Sequence, residues 1–370
     1  MIVLALPALA AAAYYLLALA AAFLWKDVPV PSARTTPVSL LKPVHGRDPR
    51  FWEAIRSHAG QDYPEFEILF GVSDPKDPAI AEIRHLQREY PTLRISLHVI
   101  STKAPNTKVG VLAELARHAR YPFLLVNDSD IKVEPGYLRT VTAPLDDPKI
   151  GLVTCLYRAA AESPASRAEA LGIATEFAPS VLVARLLGVA EFALGSTMAF
   201  RAETLREIGG FEAITPFLAD DYQLGRHISE RGYRIHFAPA VVETNLGGES
   251  WAQTWRHQLR WSRTIRVSRP SGYYFYVVTH ATLWAVVAFA AGQWWPGAAA
   301  LGLRLIAGVW IGAGILKDPN TARRFWLIPF RDLFGFAVWL AGSFGASVRW
   351  RDRELRLRRD GRITGGSRKP

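Results

Sequence analysis

Three short apolar runs in this chain each lead into acidic residues, and that pattern restricts the fold more than any other feature. Ile68–Val72 leads to Asp74, Phe123–Val126 to Asp128-Ser129-Asp130, and Pro216–Ala219 to Asp220-Asp221. In an α/β sheet the carboxyl ends of the strands border the ligand crevice, so carboxylates distant in sequence converge there. An Asp-x-Asp pair suits a hard divalent cation, which takes oxygen ligands and shares its shell with a diphosphate. Mg²⁺ or Mn²⁺ is therefore expected at Asp128 and Asp130, leaving a separate carboxylate free to act as a base.

The remaining pattern agrees with a mostly parallel sheet covered by helices. Strands are expected at Val38–Leu41, Phe66–Phe70, Arg94–Ile100 and Phe123–Val126, with further strands near residues 151–155 and 235–237. Helices are expected at Pro49–His58, Ala79–Glu89 and Val109–His118. The second of these stops before Pro91, since the residue ahead of a proline is pushed out of the helical region.

Residues Met1–Trp25 carry no charged side chain, and about 20 apolar residues suffice to cross a bilayer as a helix. A retained anchor is expected rather than a cleaved leader, because no basic segment precedes the run and the run is long. The formal net charge is +11. Nucleic-acid binding is one meaning of such a balance, but here the basic residues gather beside apolar segments. Arg256, Arg260, Arg263, Arg266 and Arg269 form one group, and the tail from Arg349 to Lys369 another. That placement fits anionic lipid headgroups and a cytoplasmic face, with no nucleic acid as partner. The single cysteine, Cys155, excludes an internal disulfide and a cysteine-cluster metal site; its apolar surroundings suggest a buried thiol.

Four ordered motifs, Ser39-Leu-Leu-Lys-Pro-Val-His-Gly46, Asp74-Pro-Lys-Asp-Pro-Ala-Ile80, Asn127-Asp-Ser-Asp-Ile131 and Ala219-Asp-Asp-Tyr222, are similar to those of the ceramide glucosyltransferases. The bacterial hopanoid-associated glycosyltransferases belong to the same group. The resemblance implies an α/β catalytic domain of GT-A (Rossmann-like) fold with transmembrane helices at both ends. It also implies a UDP-sugar donor, a membrane lipid hydroxyl as acceptor, and inversion at the anomeric carbon. Domain limits are expected at 1–25 for the anchor, 35–270 for the catalytic domain, 271–348 for a membrane region and 349–370 for a basic cytoplasmic tail.

The same resemblance assigns roles to residues. Asp74 would contact the uracil or ribose, although an Asp before Pro75 equally suits a turn cap. Lys42 and Pro43 would form the other side of the nucleotide pocket. Asn106 and Lys108 open a helix whose N-terminus and ammonium would both attract a diphosphate, a solvated lysine being the plainer alternative. Asp128 would touch the sugar or ribose and Asp130 the metal. Asp221, second in its pair, would be the general base, while one of Asp220 and Asp221 caps the following helix. His257-Gln258-Leu259-Arg260-Trp261 corresponds to a Gln/Arg-x-x-Arg-Trp motif with histidine at its first position. Arg260 would engage phosphate through its planar fork, and Trp261 would bound the acceptor.

Near the C-terminus, Tyr273–Gly292 and Pro296–Ile315 are expected to span the bilayer. Leu333–Val348 lies between Asp332 and Arg349 and, at sixteen residues, is short for a span; it is expected to be re-entrant or interfacial. This arrangement keeps both the catalytic domain and the tail in the cytoplasm, at a bacterial inner membrane. Ceramide glucosylation is the leading specific expectation. Transfer of N-acetylglucosamine to a hopanoid polyol, processive polysaccharide synthesis and polyprenyl-phosphate sugar synthesis stand as alternatives.

Overall fold

The computed structural model describes residues 2–25, 30, 32, 34–189, 191–350 and 353–368. Met1, Lys26 and residues 351, 352, 369 and 370, which belong to the expected anchor, its basic flank and the tail, lie outside the described residues. The chain forms two compact units: Asp27–Leu156 with Ala190–Asn245, and Met1–Lys26 with Tyr157–Val189 and Leu246–Pro370. Residues 157–189 and 246–270, within the expected catalytic domain, thus group with the apolar helices.

The first unit is built on seven strands. They are β1 (Val38–Val44), β2 (Phe66–Val72), β3 (Arg94–Val99), β4 (Phe123–Val126), β5 (Ile150–Ala160), β6 (Met198–Arg201) and β7 (Arg234–Asn245). Their order in the sheet is β3-β2-β1-β4-β6-β5-β7. The first four are parallel, and β6 runs antiparallel to both β4 and β5. Helices Phe51–Ala59, Ala79–Glu89 and Thr107–His118 connect the parallel strands. β1 and β4 are buried along their whole length; β4 therefore reads as an unbroken apolar run rather than an alternation, and β1 does so apart from Ser39 and Lys42, whose polar atoms find partners inside the protein. One polar latch lies among them: Glu67 accepts from Ser39 Oγ at 2.7 Å and from the Arg120 amide at 2.8 Å, and pairs with Arg94 at 2.9 Å.

Four strands, β1, β2, β5 and β7, outrun their expected limits. β7 extends to twelve residues around Pro239. A proline inside a strand is tolerated at a sheet edge, where its missing donor costs no ladder bond, and β7 is the last strand of the order.

The second unit is mainly helical. Helices Leu6–Phe23, Trp294–Ile315 and Pro319–Gly342 are, among the described residues, each long and apolar enough to cross a membrane. Pro270–Thr279 and Ala281–Ala290 form a pair bent by 51°. The break therefore falls in the first expected C-terminal span, and a long helical segment covers the third region instead. That segment takes in Arg331 and Asp332, which the expected boundary at Leu333 leaves out. It can do so because both charges are answered by neighbouring elements. Arg304 holds Asp332 through contacts of 2.6 and 3.0 Å, with Thr282 Oγ1 donating at 2.8 Å. Arg331 meets Glu176 at 3.2 Å and donates to Gln258 at 2.8 Å.

The tail is also more than a charged extension. β8 (Ser347–Trp350), β9 (Arg353–Leu357) and β10 (Ile363–Arg368) form an antiparallel sheet in the order β10-β9-β8. Val348, Leu355 and Leu357 are buried, and Arg263 of the helix Trp251–Ser268 donates to the Ser347 carbonyl at 2.6 Å.

Candidate functional site

β4 ends at Val126, and its next residues turn across the end of the sheet. Asn127 anchors the turn: its Nδ2 donates to Tyr137 Oη at 2.9 Å and to the Ser196 carbonyl at 2.6 Å, deep in the core. Lys42 supports the turn from the adjacent strand, its fully buried ammonium donating to the Asp128 carbonyl at 3.2 Å. Burial lowers the Lys42 pKa to about 7, although Asp130 and Asp128 act in the other direction. Pro43 is buried beside it.

Lys108 brings the acidic clusters together. Its ammonium contacts Asp128 Oδ1 at 2.8 Å and Asp220 Oδ2 at 2.9 Å. Burial opposes the Lys108 charge, but the two carboxylates outweigh it and hold the pKa above the usual lysine range. The lysine reaches them because Asn106 caps its helix, accepting from the Val109 amide at 3.3 Å. Asn106 also donates to the Phe217 carbonyl at 2.8 Å, tying the helix start to the loop before Asp220. It is fully buried, with its polar atoms engaged inside the protein.

Asp221 is the second residue of the helix Asp220–Glu230. Its Oδ2 accepts from the Gly195 amide at 3.1 Å and its Oδ1 from the Tyr222 amide at 2.8 Å. Burial, followed by the charge of Asp220, raises the Asp221 carboxyl to about 6. A Cβ at Gly195 would stand 3.4 Å from Asp221 Oδ2 and 3.5 Å from Asp128 Oδ2, so both carboxylates converge on this glycine.

Asp130 lies on the other side of the turn. An antiparallel bridge between Lys132 and Glu243 brings β7 alongside, and Thr244 Oγ1 donates to Asp130 Oδ2. Burial, then repulsion from Asp128, raises the Asp130 carboxyl to about 6 despite that bond. Such a pair fits a divalent cation: two neighbouring carboxylates repel, and a dication that also binds phosphate needs only one or two protein carboxylates.

Asp74 is exposed, and its Oδ1 accepts from the Lys76 amide at 2.8 Å within a turn. The neighbouring Asp77 is buried and joins two segments, accepting from the Gly46 amide at 2.8 Å and the Ala79 amide at 2.9 Å. Arg260 and Trp261 belong to the helical unit. Arg260 lines a cleft of about 230 Å³ with Arg256, Arg263, Arg349 and Arg353. Trp261 sits edge-on to His257 at 4.7 Å and packs on Ala159, Ala170, Ile173 and Leu246.

Thr244 and Asp77 escape the sequence reading. Thr244 approaches Asp130 only through a strand pairing across more than a hundred residues, which no local pattern reveals. Asp77 carries a local signal, since an Asp side chain readily accepts from the amide two residues on, here that of Ala79.

The model of glycosyl transferase family 21 matches residues 1–363. The chain belongs to that family. Ceramide glucosyltransferase 3 of Caenorhabditis elegans is 29% identical over 213 residues, covering 56% of this chain and 46% of that protein. Ceramide glucosyltransferase 1 of the same organism is 30% identical over 200 residues, covering 53% and 42%. The matched region thus spans under half the length of these relatives. Among solved structures, a mannosyltransferase from Pyrobaculum calidifontis in complex with GDP-Man and Mn²⁺ has a TM-score of 0.57 at 19% identity, covering 92% of this chain and 97% of that one. That likeness supports the glycosyltransferase GT-A fold.

Proposed function

We propose that this family 21 chain is a membrane-embedded enzyme that moves a sugar from a UDP-sugar to a lipid hydroxyl with inversion, ceramide being the leading acceptor. The observation that carries this reading is the gathering of Asp128, Asp220 and Asp221 around Lys108 and Gly195. Asp221 is the base. A carboxyl raised to about 6 is ionised at neutral pH yet basic enough to accept a hydroxyl proton in the transition state. The acceptor oxygen then bonds to the anomeric carbon as the bond to the diphosphate breaks, with no covalent sugar–enzyme intermediate. Asp130, together with Asp128, would hold Mg²⁺ or Mn²⁺, which offsets the charge of the departing diphosphate. Lys42 and Asn106 position the site from within, through the Asp128 carbonyl and the 215–217 loop. Lys108, Asp74 and Pro43 belong to the donor side.

The membrane arrangement we propose has an even number of C-terminal crossings. Trp294–Ile315, at 22 residues, spans about 33 Å at 1.5 Å per residue, enough for the hydrocarbon core. Pro319–Gly342 returns, and the bent pair Pro270–Ala290 stays on the entry side. Exposed Trp294 and Trp295 at one end and Phe325 and Trp326 at the other suit the two interfaces. The catalytic carboxylates and the basic C-terminal sheet are then cytoplasmic, where nucleotide-sugars are made.

Full-length protein in lipid nanodiscs, incubated with labelled UDP-glucose, UDP-N-acetylglucosamine and UDP-galactose and a panel of lipid acceptors, tests this reading by mass analysis of the products. A hexosylceramide with inverted anomeric configuration is expected. A lengthening polysaccharide or a sugar phosphodiester would replace the proposal with a synthase of the corresponding class. A glycosylated hopanoid would keep the chemistry and change the acceptor.

A further inference from the structure

The helical unit contains a second cluster of ligating side chains, separate from the carboxylates at the strand ends. Glu169 lies near the end of the helix Pro164–Gly172, Glu249 immediately precedes the capping residue Ser250, and His257 lies in the helix Trp251–Ser268. One ligand atom from each falls within 4.8 Å of the others. The backbone that presents them is fixed beforehand. Ser163 Oγ donates to the Glu249 carbonyl at 2.5 Å, while Ser166 Oγ and the Glu162 amide donate to the Gly247 carbonyl at 2.8 and 2.9 Å.

The decisive feature is what these atoms lack. Glu169 is 1% exposed, and neither of its carboxylate oxygens makes a hydrogen bond. His257 Nδ1 stands 2.7 Å from Glu169 Oε1, yet no hydrogen bond joins them. Glu249 Oε2 is buried and equally without a donor. A buried carboxylate without hydrogen bonds carries its full desolvation penalty. A dication meets each of these demands together, because it balances two carboxylates and accepts the imidazole lone pair. The donor set selects the ion: two oxygens and an imidazole nitrogen suit Zn²⁺, whereas Mg²⁺ and Ca²⁺ favour oxygen alone.

We propose that Glu169, Glu249 and His257 form a binding site for a transition-metal dication of the Zn²⁺ type, clamping the helix Trp251–Ser268 to the helix Pro164–Gly172. The clamp also fixes Trp261, whose indole rests edge-on against the His257 ring. Histidine at the first position of the Arg-Trp motif then has a specific purpose as a ligand.

The test uses full-length protein in nanodiscs carrying Asp130→Asn, stripped with chelator and free of nucleotide, so that metal at the donor side does not enter the result. Zinc content after gel filtration should be about one equivalent, three protein ligands with an open position being a familiar zinc arrangement. His257→Gln and Glu249→Gln should each retain less than a tenth of it. Co²⁺ should give visible d–d absorption in the parent and lose it in both variants. Zn²⁺ should raise the melting temperature of the parent and not that of the variants, as expected of a ligand that binds only the folded state. Equal apo melting temperatures would confirm that both variants fold. If one does not fold, the other gives the same readout. A parent that retains no zinc, or zinc content equal in parent and variants, would overturn the site.

Discussion

In the helical unit, Arg304 and Asp332 are both nearly inaccessible and pair through three close contacts between guanidinium and carboxylate, with Thr282 also donating to the carboxylate. In the sheet unit, Asp130 and Asp221 each lie near another carboxylate, and each carboxyl is raised to about 6. Lys108 provides a cation for Asp128 and Asp220, but like-charge repulsion remains. Opposite charges paired within apolar helices hold elements in register. Like charges left near balance at a strand end can exchange protons and take up cations. The same residue types are therefore matched by opposite charge in one unit and crowded by like charge in the other, and the pairing decides which.

Breaking the helical pair should have the largest effect. Asp332→Ala leaves the Arg304 guanidinium buried without its counter-ion, a loss of about 3–5 kcal/mol. The double variant Arg304→Met/Asp332→Leu should recover most of that, as apolar side chains of similar size can replace a buried pair. Thermal unfolding of the protein in nanodiscs measures both. A double variant no more stable than Asp332→Ala would mean that the pair does more than hold helices together.

Next is Asp221→Asn, which keeps the volume and removes the proposed base. Turnover should fall by about 10²-fold or more, with UDP-sugar affinity by calorimetry little changed. The wild-type pH profile sharpens the point. A base raised to about 6 is ionised above that pH, so kcat should fall as pH drops through 6, and the limb should vanish in Asp221→Asn. Near-normal turnover in the variant would transfer the role to Asp220.

Thr244→Val should have a smaller effect. Its hydroxyl favours the ionised form of Asp130, so removing it should weaken divalent-cation affinity by about tenfold, the scale of one hydrogen bond to a charged group. Rate at saturating metal should change little. An unchanged metal dependence would separate Asp130 from the cation.

The smallest effect concerns topology and is read by labelling. With Cys155 replaced and single cysteines introduced near Gly46 and Gly365, an impermeant reagent should miss both sites in intact cells and reach both after the membrane is opened. Labelling of the tail alone would add a crossing to the helical unit. Labelling near Gly46 would invert the chain.

Much of the sheet unit was legible because its signals are local. A strand buried on both faces is mostly apolar, and a helix stops ahead of a proline, so Phe123–Val126 and the helix Ala79–Glu89 match their expected limits. Asp128, Asp130, Asp220 and Asp221 stood out because paired carboxylates directly after apolar runs need an explanation. The helical unit was less legible. A hydropathy reading treats Arg331 and Asp332 as a boundary, because the sequence does not show that Arg304 and Glu176 wait across the bundle. Likewise, the sixteen uncharged residues from Leu333 to Val348 suggested one element, yet the helix ends at Gly342 and β8 begins at Ser347.

The sequence by itself determined the alternation of strand and helix, the acidic strand ends, the apolar helices and the family, each being carried by the order and polarity of adjacent residues. Only the tertiary structure decided which charges are answered and which are not. Lys108 reaches Asp220, Thr244 reaches Asp130, and Glu169 meets His257 across separations of about ninety residues or more. Such contacts depend on how strands and helices are brought together. The free energy of a buried charge depends on its neighbours in space, whereas the sequence records its neighbours along the chain.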